Sequence, residues 1–147
     1  MDRTRKNLMA FSIFILGYAA YTLVSLGLEL FLGSGFNNVA VPEGSPENII
    51  EITKTFIIVV TLLMVLPQIY VGIKGVCVAK NPNSSRGHIF WAGVLFAFAL
   101  VGIALNVLDM VNNNGTSDSF SLIIDGAIEA IFYFEFIVYA RRVRNEY

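Results

Sequence analysis

The sequence has little of most things that soluble chemistry uses. Among 147 residues there is one cysteine, Cys77, one histidine, His88, and one tryptophan, Trp91. A single thiol cannot close an internal disulfide, and no CxxC pair exists for thiol redox work. One His and one Cys, with no acids beside them, do not assemble a zinc site. The same scarcity disfavours haem ligation, and no cofactor is expected. Charge is scarce too: Asp, Glu, Lys and Arg make up 14% of the chain, where a soluble domain carries about 25%. Ten basic against eleven acidic residues leave a net charge of -1. No basic face is available to hold nucleic acid, so that class is set aside. There is no internal repeat and no low-complexity tract.

What is present is apolar. Hydrophobic residues make up 56% of the chain, and the mean hydropathy is +0.68. Apolar runs of about 20 residues place the chain in the membrane class. Four such runs stand out, at about 8–32, 52–78, 89–111 and 120–139. They are far longer than the roughly 9–11 residues of a barrel strand, and they do not alternate. Pro67 lies inside the second run. Proline is tolerated in a membrane helix when neighbours satisfy the carbonyl it frees. The expected fold is all-α: one integral membrane domain over residues 1–147, an antiparallel bundle of four transmembrane helices.

The first run follows Arg3, Arg5 and Lys6, as the apolar part of a signal peptide would. It is longer than the 7–15 residues or so of such a region, and no clean A-x-A site follows. It is therefore expected to stay as a first span. Nine of the ten Lys and Arg residues fall on one side of the expected bundle: Arg3, Arg5, Lys6, Lys74, Lys80, Arg86, Arg141, Arg142 and Arg144. Lys54 is the exception, and Glu43, Glu47, Glu51 and Asp118 lie opposite. The positive-inside rule then puts both termini in the cytoplasm. A multi-pass protein of a bacterial inner membrane is the expectation.

Loop signals agree with this topology. Ser45-Pro46 reads as the start of the second helix, with Pro at its first position. Ser117 or Ser119 is a candidate cap for the fourth. Asn114-Gly115-Thr116 matches a glycosylation sequon on the outer side. Tyr70, Trp91 and Tyr139 fit an inner aromatic belt.

The fourth run departs from the other three. It carries Asp125, Glu129 and Glu135, then the basic set Arg141, Arg142 and Arg144. At about 1.5 Å per residue, Glu135 lies roughly 9 Å in from Arg141, Glu129 roughly 18 Å and Asp125 roughly 24 Å. Glu135 is shallow enough to snorkel toward the arginines. Glu129 falls near the middle of a hydrocarbon core of about 30 Å, where a carboxylate costs a few kcal/mol or about that. Such acids normally face a bundle interior or a watery cavity.

Each of the other runs offers a polar or small stripe at helical spacing: Tyr18, Thr22, Ser25 and Glu29 on the first; Lys54, Thr61, Gln68 and Gly75 on the second; Ala99, Gly102, Asn106 and Asp109 on the third. Residues so spaced share one helix face. If the stripes meet, Asp125, Glu129, Asp109, Asn106 and Glu29 form an all-oxygen candidate site for a proton, a hard cation or an organic ammonium.

Three functions fit these residues. The first is binding or transport of protons, cations or a cationic solute, in a thin bundle that would need a homo-oligomer for a full pathway. The second is a non-catalytic accessory or assembly subunit of a larger membrane protein. Its polar stripes would be interhelical glue, and Gly93 with Ala97, and Gly126 with Ala130, would be contact faces. The third is a membrane enzyme acting on a lipid or quinone. No nucleophile–base pair, His cluster or phosphate-binding arginine set supports it, and no catalytic residue is expected.

Overall fold

A computed structural model of the chain describes residues 2–32, 47–82, 87–112 and 117–146. These residues form four helices: α1 (Arg3–Leu32), α2 (Glu47–Lys80), α3 (Gly87–Asn112) and α4 (Ser117–Glu146). Ser45-Pro46 and the Asn114 sequon lie outside the described residues. Every helix runs past its apolar stretch into polar flanks. Backbone hydrogen bonding continues there, and Lys, Arg and Glu are good helix formers. Pro67 sits inside α2 without ending it. The shortest helix, α3, has 26 residues, about 39 Å at 1.5 Å per residue, enough to cross a bilayer.

Neighbouring helices run antiparallel in a ring ordered α1, α2, α3, α4. Long contacts join α1 to α2 and α3 to α4; the α1–α4 and α2–α3 seams are shorter, and α2 barely touches α4 across the diagonal. Both chain termini, the end of α2 and the start of α3 therefore share one end of the bundle, the terminal end. The flanking basic residues gather at that same end.

Two local devices secure it. Asp2 Oδ1 accepts a hydrogen bond from the Arg3 amide at 2.6 Å, and Asp2 O accepts one from the Lys6 amide at 3.0 Å. Asp2 thereby satisfies orphan donors at the start of α1. At the end of α2, Arg5 of α1 donates from Nε to Ala79 O at 2.7 Å and from Nη2 to Lys80 O. A cation at the carbonyl end of a helix is also favoured by the helix dipole. Arg5 thus ties the first helix to the second.

The packed core lies in the terminal half. Leu8, Val71, Val78, Ala79, Ala92, Tyr133, Phe136, Ala140 and Val143 are buried in one cluster. Small groups let the helices approach. A Cβ on Gly75 would be driven into Ser12 Oγ and the Phe136 ring, and one on Gly72 would lie 2.8 Å from Leu16 Cδ2. Ser12 is buried and satisfies its own hydroxyl by donating to Leu8 O at 2.6 Å. Close approach at small residues is how helices associate in lipid, where tails are as apolar as leucine.

The exterior is apolar rather than charged. Phe14, Val24, Phe56, Leu63, Phe90 and Val101 are all exposed. A soluble monomer rarely shows such a continuous apolar surface. By length and composition, α1, the Glu51–Lys80 part of α2, and α3 can each cross a membrane. α4 stands apart because its three carboxylates are spread along its central stretch.

Candidate functional site

The other half of the bundle, away from the termini, is open inside. A cavity of about 430 Å³ lies there, with walls from all four helices. That volume is in the range of small-molecule sites, about 300–1,000 Å³. Its polar lining comes from Tyr18 and Thr22 of α1, Thr61 and Gln68 of α2, Asn106 of α3, and Asp125 and Glu129 of α4. Ala99 and Gly102 of α3 and Gly126 of α4 complete the small-residue stretches of the wall. Part of each stripe therefore reaches the cavity around the fourth-helix acids, whereas Ser25, Lys54 and Gly75 are not among its lining residues.

Two expected site residues are placed elsewhere. Glu29 and Asp109 are exposed, and neither is among the described residues that line the cavity. Glu29 lies about two turns beyond Thr22 and Asp109 about one turn beyond Asn106, toward the far ends of their helices. Spacing on one helix places residues on a common face but does not say how far along that face a cavity extends. Asp125 lines the cavity while remaining exposed, whereas Glu129 is half-buried. Among the described residues, no cluster of three or more His, Cys, Asp or Glu could hold a metal ion.

Glu129 marks the floor, where the open half meets the packed half. Its Oε1 accepts two hydrogen bonds, from Tyr133 Oη at 2.9 Å and from Gln68 Nε2 at 3.2 Å. Tyr133 is one turn further along α4 and belongs to the packed core. Its aromatic body is buried there while its hydroxyl reaches up to the acid. The signal for Tyr133 in the sequence is its i, i+4 relation to Glu129. Behind the acids, Tyr18, Asp125, Glu129 and Tyr133 also line a second void of about 70 Å³ between α1 and α4. It is wide enough for water.

Three polar groups on the wall turn a donor back on their own helix. Thr22 Oγ1 donates to Tyr18 O at 3.0 Å, Thr61 Oγ1 to Ile57 O at 2.8 Å, and Asn106 Nδ2 to Gly102 O at 2.9 Å. Each partner lies one turn back on the same helix, the usual recourse of such side chains inside a helix. What these groups still offer a guest is oxygen lone pairs. Gln68 turns its amide NH2 to the Glu129 carboxylate. Among the described residues, no lysine, arginine or histidine lines the cavity.

The remaining wall is apolar, from Val60, Met64, Val65, Leu95, Phe98, Ile103 and Leu122. A separate groove on the outer surface, at Leu63, Leu66, Pro67, Tyr70 and Trp91, is also apolar.

The chain matches no protein-family model, and searches of curated proteins and of solved structures gave no match either. The site's own chemistry therefore carries the functional reading.

Proposed function

We propose that this is an integral membrane protein that binds a cationic solute in the cavity above Glu129, as part of its transport or sensing across the bilayer. One observation carries the reading: the cavity wall presents two carboxylates, while Thr22, Thr61 and Asn106 each turn a donor back on their own helix and Gln68 donates to Glu129. A half-buried carboxylate in an apolar bundle is costly unless something positive answers it.

In this reading α4 is a fourth span despite its acids. Ile124, Ile128, Ile131 and Phe134 keep its outward face apolar, and Asp125 and Glu129 line the cavity. The basic terminal end faces the cytoplasm by the positive-inside rule, which puts the open half on the outer side. The setting is then a cell or inner membrane. The test is flux of protons and cations in liposomes holding the purified chain, beside a Glu129→Gln variant. Flux or cation binding that drops about tenfold or more in the variant supports the reading. Glu129-independent flux, or none in the parent, sinks it.

A second reading, an accessory subunit, rests on α3. A Cβ on Gly93 would meet nothing within 4 Å, and Ala97 is exposed. This small-residue face is unused inside the bundle and fits a neighbouring membrane helix. A stoichiometric partner retained through mild detergent extraction would favour it; a lone monomer would count against it.

A further inference from the structure

Gln68 sharpens what kind of cation the cavity takes. The residue is 5% exposed, and it stands on the cavity wall beside Glu129. The two ends of its amide are not interchangeable here. The carboxylate of Glu129 takes the NH2 end, because a carboxylate accepts and a carbonyl cannot donate to it. That contact fixes the carbonyl end, and Gln68 Oε1 is buried without a hydrogen-bond partner. Buried acceptors are normally satisfied, and an orphaned one asks for a donor.

A bare metal cation is poorly served at this spot. It wants about six oxygens close together, and no cluster of three titratable ligands is present among the described residues. A quaternary ammonium would bring charge but no N–H. A protonated amine brings both. Its positive charge is answered by Glu129, and a further N–H can donate to Gln68 Oε1 once a turn of the amide brings that buried atom out to the cavity. The apolar wall of Val60, Met64, Leu95 and Phe98 suits a hydrocarbon body.

We propose that the ligand is an amine in its protonated, N–H-bearing form, held at two points by Glu129 and Gln68 Oε1, with an apolar body against α2 and α3. This rests on the cation-binding reading above and narrows it. A site built around a hydrogen bond rejects the analogue that lacks it, because the buried partner is then left unpaired.

The experiment is calorimetric titration of the full chain in lipid nanodiscs at neutral pH with three probes: phenethylammonium, its N,N,N-trimethyl analogue, and sodium chloride. Phenethylammonium should bind at least about tenfold more tightly than the trimethyl analogue. A Gln68→Met variant of similar shape should narrow the gap between the two amines several-fold without closing it, because Glu129 still accepts an N–H that only phenethylammonium has. Glu129→Gln should weaken both. Equal binding of the two amines to the parent chain overturns the amine proposal, and so does a preference that is as large in Gln68→Met as in the parent. The first comparison needs no variant, so a misfolded Gln68→Met does not rescue the idea. Glu129-dependent binding of sodium with no amine binding overturns the amine proposal and leaves the cation reading standing. Absence of any Glu129-dependent cation binding defeats both.

Discussion

The two halves of this bundle are built from the same four helices and resemble each other little. In the terminal half, Gly72, Gly75 and Ser12 bring α1 and α2 together, and Phe136 of α4 fills the space between them. In the other half, Gly102 lies on the cavity wall, and a Cβ added to it would meet nothing within 4 Å. Glycine closes the structure in one place and leaves room in the other. The difference is whether a neighbouring helix brings a large side chain into the gap. Phe136 does so below. Above, the facing residues are Asp125 and Glu129, which hydrocarbon packing cannot absorb. The packed half holds the bundle together and the open half encloses the cavity.

The strongest blow to the packed half is Phe136→Ala. Its ring is fully buried against Ser12, Gly75 and His88. Stability of the purified chain, followed by thermal or denaturant unfolding in detergent, should fall by about 3 kcal/mol. In lipid the loss is of packing contacts, not of transfer from water. A loss under about 1 kcal/mol would mean that the terminal half is not the stable one.

Next comes a matched pair of glycines. Gly75→Ala should cost about 1–3 kcal/mol by overpacking against Ser12 and Phe136. Gly102→Ala should be neutral or stabilising by up to about 1 kcal/mol, since alanine is the better helix former and nothing blocks it. The same unfolding measurement reads both. Equal effects would erase the contrast between the halves.

The smallest effect belongs to the boundary. Tyr133→Phe removes the hydrogen bond that crosses from the packed half to Glu129. A loss of about 1 kcal/mol in stability is expected. The larger change should be in ligand titration, because Glu129 would lose one of the two donors that hold it. Unaltered binding would mean that Gln68 alone positions the carboxylate.

Much of this arrangement is legible in the residues. Length, hydropathy and helical spacing suffice to place four helices and to select Thr22, Thr61, Gln68, Asn106, Asp125 and Glu129 as inward-facing, because period and apolarity are local properties of the chain. Glu29 and Asp109 continue the same spacing yet lie past the cavity. How far a cavity extends along a stripe depends on where the helices diverge. Arg5 reads from sequence only as one more orienting charge, since its partners are carbonyls of Ala79 and Lys80, more than seventy positions away. Carbonyls carry no sequence signature. Tyr133 escaped for a related reason: a tyrosine among phenylalanines reads as packing until its hydroxyl is seen to reach an acid.

By itself, then, the sequence determined the helical class, the gathering of basic residues at one end, and which face of each helix is polar. These follow from composition and from the 3.6-residue turn. The tertiary structure decided which half is closed, where the floor of the cavity lies, and that Gln68 turns its amide donor to Glu129 and keeps a buried carbonyl in reserve. Those outcomes depend on which side chains face one another across helices, and no single helix encodes that.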